Sequence, residues 1–369
     1  MEIRESIKIG DYVVIQKQKY LKLHQLKARC DVMLGKDLVN LKAIVGQPFW
    51  TTFKMIQKKK KEFDLDVASE IESLPEAVMK DVQSGSDNRN ITDDGKSQLL
   101  STEEIEGFKE SGLSAQSIVG KLIESSTTFH NKTEYSQEKY LKKKEKKYFE
   151  YIVIRKPTVR LLAEMFYSKD PHSVLGLRHD SIAQILSYAN VQNSGTYVLF
   201  ESGTQALLGS AILDCLDDQG RVISITTGRY PPETGCRRDE LSRREESEIV
   251  PKPLKKPRWQ ENLEIAKDAL LKDGADSLIF ASKEFPLPLI LKMLDYLKPS
   301  HSLVVYSVYR EPLVLIYNEL KKKRKDVIGL HIFENFLRTH QILSDRTRPD
   351  VMMSASGGHI LVGTKVLSS

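Results

Sequence analysis

Residues Thr196 to Cys215 constrain this chain more than any other stretch. Tyr197 to Phe200 is an apolar run short enough for a strand buried on both faces. Glu201 closes the run, Gly203 permits a tight turn, and Ala206 to Leu216 carries the apolar spacing of a helix. Strand, turn and helix in this order form the first βα unit of a nucleotide-binding α/β domain, in which glycines let backbone approach the ligand.

The chain around this unit keeps the same rhythm. Asp180 to Ala189 reads as a helix ahead of it, and Val222 to Ile225 as the second strand. Further on, Glu261 to Leu271, Leu287 to Leu297 and Pro312 to Lys323 read as helices. They alternate with apolar strands at Ser277 to Ala281, Ser302 to Tyr306 and Val327 to Phe333. Such alternation predicts a doubly wound sheet. Phe336 to Ile360 reads as a strand, a basic loop and a return strand. Arg346 and Arg348 in that loop are candidates to hold phosphate, or they pair with Asp345, Asp350 or a partner.

The glycine stretch is similar to the Asp/Glu-x-Gly-x-Gly-x-Gly motif of class I methyltransferases, which cradles S-adenosylmethionine. Glu201 and Gly203 match it, but Gln205 and Leu207 occupy the next two glycine positions. Leu207 would put an isobutyl group where backbone must meet ligand. The second strand should end in an acid that holds ribose hydroxyls, and Thr226-Thr227-Gly228 stands there. An adenine N1-methyltransferase needs an acid just after the fourth strand. Ser282 and Lys283 occupy that place, with Glu284 shifted along the loop. The reading is a methyltransferase frame with a filled pocket and no cofactor. The competing readings are an active S-adenosylmethionine-dependent RNA methyltransferase with an atypical pocket, and a nicotinamide-binding oxidoreductase. The latter suffers from the same missing glycines and acid.

Other chemistry finds little support. Three cysteines, Cys30, Cys215 and Cys236, lack paired spacing, which argues against a disulfide framework or a cysteine zinc site. His179, His331 and His340 lack metal-ligand spacing, so no metal is expected. Ser202 sits in Glu-Ser-Gly rather than a nucleophile elbow. No apolar run approaches a membrane span, and no signal-peptide core follows Met1. The net charge of +6 makes polyanions plausible partners.

The first part of the chain, residues 1 to about 57, reads as short strands of a small β-barrel, with Trp50 and Phe53 as core or rim aromatics. An insertion over about residues 58 to 147 begins with the charged Lys58 to Lys61, and residues 64 to 100 predict a mobile loop. Ser101 and Glu104 spell a capping box. A second short helix follows near Ile118 and Leu122. On a helix over 132 to 150, Glu134, Leu141 and Tyr148 form a narrow docking stripe. Lys139, Lys142, Lys143 and Lys146 share another face, as a phosphate-binding row or a solvated one. Tyr151 to Ile154 is a strand, and Arg155-Lys156-Pro157 ends this first domain. The second domain spans residues 158 to 369. Residues 229 to 258, proline-rich and densely charged, read as a solvated linker; Pro251 to Arg258 is also a weak nuclear signal.

Several motifs together resemble the non-catalytic, tRNA-binding subunit of the eukaryotic tRNA (adenine-58-N1)-methyltransferase. They are Gly46-Gln47-Pro48-Phe49 with Thr51-Thr52-Phe53, Asp87 to Asn90 with Asp93 to Gln98, and Lys132 to Tyr135 leading into Lys139 to Lys144. The end adds Leu337-Arg338, Gln341 to Leu343, Arg346-Thr347, Pro349, Met352 to Ser354 and Gly357-Gly358. The resemblance implies an N-terminal β-barrel joined to a degenerate, Rossmann-like methyltransferase domain. It implies a catalytic sister subunit, a heterotetramer of two copies each, tRNA lying across both subunit types, and a place in the nucleus. The charged 229 to 258 segment departs from a full domain, which has more secondary structure there.

Overall fold

The computed structural model describes residues 6–18, 20–59, 61–68, 98–110, 115–148, 151–226, 258–343, 346–351 and 356–367. The chain forms two compact units, Met1–Pro157 and Thr158–Ser369.

The first unit is built on seven strands: β1 (Tyr12–Lys17), β2 (Tyr20–Gln25), β3 (Asp31–Leu34), β4 (Asp37–Asn40), β5 (Thr52–Lys59), β6 (Glu62–Val67) and β7 (Tyr151–Arg155). Their order in the sheet is β2-β1-β7-β5-β6-β4-β3. The sheet curls until its two edges nearly meet. Lys22 Nζ on β2 donates to the Met33 carbonyl on β3 at 2.7 Å, which ties one edge to the other. Val13, Ile15, Val32, Leu34, Val39, Phe53, Met55, Ile152 and Ile154 point inward by period-2 alternation and form the core.

The charged stretch at Lys58 to Lys61 is not the interruption that its composition suggests. β5 continues to Lys59 and β6 starts at Glu62, so the two form a hairpin. Glu62-Phe63-Asp64-Leu65-Asp66-Val67 alternates polar and apolar, which is the strand signal that the charge obscures. The insertion therefore leaves the sheet after β6 and returns at β7. Residues 69–97, most of the expected mobile loop, lie outside the described residues.

The inserted helices are α1 (Thr102–Glu110), α2 (Ala115–Glu124) and α3 (Glu134–Tyr148). The capping box is present: the Glu104 amide donates to Ser101 Oγ at 3.2 Å, and the Ser101 amide donates to Glu104 Oε2 at 2.8 Å. Leu141 of α3 is fully buried against Ile118, Val119, Leu122 and Phe129. The docked stripe runs through Gln137 and Leu141, one helical turn apart. Gln137 Nε2 donates to the Phe129 carbonyl at 2.9 Å. Glu134, expected on the stripe, stays exposed in the first turn, where its charge suits the helix N-terminus.

The second unit opens with α4 (Val159–Lys169) and α5 (His179–Tyr188), then alternates strand and helix. Its elements are β8 (Thr196–Glu201), α6 (Leu207–Cys215), β9 (Arg221–Ile225), α7 (Arg258–Lys272), β10 (Ala275–Ala281), α8 (Leu287–Met293), β11 (Leu297–Ser307), α9 (Arg310–Lys323) and β12 (Val327–Phe336). A hairpin of β13 (His340–Leu343) and β14 (Arg346–Pro349) follows, and β15 (Ser356–Lys365) returns to the sheet. The strand order is β12-β15-β11-β10-β8-β9. β8 to β11 run parallel, and β15 is antiparallel to both β11 and β12. Val198, Phe200, Leu278, Phe280, Leu303 and Val305 form apolar rows that pack with Ile290, Leu313, Ile316 and Leu320 from the helices. Among the described residues β9 is one edge of this sheet and β12 the other. The 229 to 257 part of the charged segment after β9 lies outside them.

Candidate functional site: a degenerate cofactor crevice and two basic faces

In a doubly wound sheet, ligands sit at the C-terminal ends of the strands, where the order reverses. Here that point lies between β8 and β10, since β9 follows on one side and β11 on the other. The loop leaving β8 runs from Glu201 to Ala206. Gly203 has φ +79°, and Gln205 and Ala206 have φ of 54° and 55°. A left-handed backbone at non-glycine residues costs about 1–2 kcal/mol each. Gln205 therefore keeps a glycine's backbone without a glycine's freedom. Leu207 is almost fully buried at the start of α6.

Glu201 turns inward. Its side chain is buried, and Oε2 accepts from Thr204 Oγ1 at 2.9 Å and from the Gly209 amide at 3.3 Å. Burial raises its pKa, although these donors pull the other way. A carboxylate held by α6's own first turn serves as an internal cap.

At the mouth of the crevice the aliphatic part of the exposed Lys283 side chain lies against the Gly203 α-carbon. The Ser202 amide donates to the Ala281 carbonyl at 3.0 Å, and Ser202 Oγ donates to Glu284 Oε1 at 3.1 Å. The loops after β8 and β10 are thus tied together across the switch point. Glu284, shifted along its loop, bonds Ser202, and Thr226 follows β9 where an acid would hold ribose. No group of His, Cys, Asp and Glu side chains could hold a metal among the described residues. The position of Lys283 is visible in the sequence, but its packing on Gly203 has no sequence signal.

The basic candidates fall on two separate elements. Lys139 and Lys143 are exposed on α3, one turn apart. The side chains of Lys142 and Lys146 lie outside the described residues. Arg346 and Arg348 do not sit in a loop: they occupy β14, two residues apart in a two-stranded ribbon. Arg348 is exposed, and Asp350 accepts from Thr339 Oγ1 at 2.9 Å rather than from an arginine. The side chain of Arg346 lies outside the described residues. Gly357 and Gly358 open β15 instead of cradling phosphate. A side chain at Gly357 would meet Ser181 and Arg178, and one at Gly358 would meet the Tyr306 ring. Of the barrel aromatics, Phe53 is core, whereas Trp50 is 55% exposed with the Arg155 guanidinium 4.5 Å from its ring centre.

Fold and site together define a methyltransferase-like α/β protein whose cofactor motif is degenerate at Gln205, Leu207 and Thr226. The chain belongs to the Gcd10p family, whose model matches residues 6–275. It is similar to the Mus musculus tRNA (adenine(58)-N(1))-methyltransferase non-catalytic subunit TRM6, with 28% identity over 97% of this chain and 88% of that one. The Dictyostelium discoideum protein of the same description is 29% identical, over 98% of this chain and 79% of its own length. Among solved structures, the SAM-dependent O-methyltransferase of Thermotoga maritima superposes with a TM-score of 0.53 at 10% identity, over 100% of this chain and 97% of that one. At that identity the likeness speaks to the fold alone.

Proposed function

We propose that this chain is the non-catalytic, RNA-binding subunit of a tRNA (adenine-58-N1)-methyltransferase. The observation that carries the reading is the loss of the cofactor motif: Gln205, Leu207 and Thr226 stand where two glycines and an acid are needed. The names of the relatives support it. A chain with this crevice contributes surface rather than chemistry. Its partner is a catalytic sister chain that supplies the cofactor and the target-base site, in an assembly of two copies of each. Its substrate-side partner is tRNA, held through phosphates by Lys139, Lys142, Lys143 and Lys146 on α3 and by Arg346 and Arg348 on β14. Phosphate contacts hold and orient an RNA without reading its sequence. The nucleus is the proposed place of work. The alternative, an active methyltransferase with an unusual pocket, requires cofactor binding without the motif glycines at 205 and 207 or an acid at the end of β9.

Titration calorimetry of S-adenosylmethionine into the purified chain tests this. No heat of binding is expected at micromolar cofactor, while a co-expressed sister chain with an intact glycine motif co-purifies and binds it. Micromolar binding to this chain alone would return it to the catalytic class.

A further inference from the structure

The β13–β14 ribbon forms a sheet of its own, apart from the six strands of the second unit. Its base is closed between Thr339 and Asp350. The Asp350 amide donates to the Thr339 carbonyl and Thr339 Oγ1 donates to Asp350 Oδ2, each at 2.9 Å. In the chain, β12 leads out to the ribbon and β15 leads back from it. The register of that strand pair slips at the junction. Glu334 faces His359 and Phe336 faces Ser356, so Gly357 and Gly358 together stand opposite Asn335. Two residues opposite one make a β-bulge, which bends a strand pair and re-aims what lies beyond it.

A buried charge sits on this bend. Arg178, which precedes α5, is only 4% exposed. Its Nε and Nη2 donate to the two carboxylate oxygens of Asp180 at 2.9 and 2.8 Å, and Nη2 also donates to the Asn335 carbonyl at 3.2 Å. On the returning strand, Ser181 Oγ donates to the Gly357 carbonyl at 2.7 Å. A Cβ on Gly357 would fall 2.8 Å from Arg178 Nη2, which its own bonds hold in place. The Tyr306 hydroxyl donates to the Leu175 carbonyl at 2.9 Å, and its ring packs against Gly358. One short stretch, Leu175 to Ser181, with Tyr306 beside it, therefore grips both sides of the bulge. Stability alone does not explain a charge here, because a buried ion pair recovers little more than the desolvation it costs and apolar side chains of similar volume serve as well. What a bidentate guanidinium adds is direction, since its planar fork fits only one arrangement of its partners.

We infer that Arg178 is a positioning residue: it fixes the direction in which the β13–β14 ribbon leaves the sheet, and with it the place of Arg346 and Arg348. The direction of the ribbon stands on this geometry alone; its consequence for tRNA rests on the function proposed above. The direct test is a distance. Spin labels go on the ribbon at Gln341→Cys and on α9 at Leu315→Cys, both exposed positions, in a chain whose three natural cysteines are replaced by alanine. One narrow distance distribution is expected. Arg178→Lys keeps the charge, loses the fork and should broaden it. Ser181→Ala should broaden it too, and removes one small donor while the buried ion pair stays in place. An unchanged distribution in both variants would overturn the inference. In the assembled complex, Arg178→Lys should weaken tRNA binding no further than Arg346→Ala with Arg348→Ala does. The triple variant should lose no more than that arginine pair, because residues that act through one element are not additive. Losses that add would place the effect of Arg178 outside the ribbon and overturn the inference as well. An arginine-pair variant that binds tRNA like the wild type would instead remove the ribbon from the RNA surface, and the distances would still decide what Arg178 does.

Discussion

At the scale of single residues, the degenerate crevice makes two predictions. Gln205 holds φ at 54°, a conformation that suits glycine. Gln205→Gly should stabilise the second unit by about 1 kcal/mol, which for a unit of this size raises Tm by about 2–4 °C. It should not restore cofactor binding, because Leu207 and Thr226 still stand at the other cofactor positions. Thermal melts with and without S-adenosylmethionine read both outcomes, and a ligand-dependent shift in the variant would refute the steric argument. Glu201 makes the second. Its pKa is raised by burial above the ordinary 4.5, so the folded state binds protons more tightly than the unfolded chain does. Stability from this group is therefore greatest below the ordinary value and declines as pH rises from there through the raised one. Glu201→Gln keeps an acceptor for Thr204 and Gly209 and should flatten that decline. Glu201→Ala strands both donors and should cost about 1–3 kcal/mol at any pH. The absence of motif glycines is legible in the sequence because it is written as residue identity. The inward turn of Glu201 is not, since Thr204 and Gly209 become its donors only once the loop folds.

At the scale of elements, legibility follows period. The alternation from β8 to α9 is readable because buried parallel strands and amphipathic helices repeat over many residues. The β5–β6 hairpin is hidden because the charges of Lys58 to Glu62, Asp64 and Asp66 resemble those of a solvated loop; the alternating Phe63, Leu65 and Val67 are the truer signal. The β13–β14 ribbon resembles a loop because its strands are only four residues each. For α3 the helix and Leu141 are legible, but the rest of the docked stripe is not. Docking through Gln137 and Leu141 leaves Lys139 and Lys143 in water. Changing Lys139, Lys142, Lys143 and Lys146 to Ala should therefore leave assembly intact by gel filtration and weaken tRNA binding by the complex. Unrelated structured RNA should bind more weakly to a similar degree, because ammonium groups act on phosphate as point charges. The salt slope should become shallower by up to about 0.9 for each phosphate no longer neutralised. An unchanged slope in a correctly assembled variant would assign this face to solvent alone, and move the search to Arg346 and Arg348.

At the scale of the whole molecule, a non-catalytic subunit is expected to draw stability from a partner surface rather than from a bound cofactor. A candidate for that surface lies near the end of the second unit. β12 is an edge strand among the described residues, and Phe336 on it is 74% exposed. Ile342 on β13 is 78% exposed, and Val351 after β14 is 98% exposed. Isolated apolar side chains at a surface are ordinary; several on one edge and its adjoining ribbon are the expected contact for the partner. A partner that binds only the folded state adds about 2.7 kcal/mol when present at a hundred times its dissociation constant. The purified chain should accordingly aggregate or melt early, and its Tm should rise with the concentration of the catalytic sister. Hydrogen exchange in the complex should show new protection at β12 and β13. Phe336→Asp with Ile342→Asp should lower the partner-dependent gain while leaving the melt of the isolated chain nearly unchanged, because both side chains already face water. If the isolated chain instead melts at the same temperature with and without the sister, these exposed residues do not carry assembly.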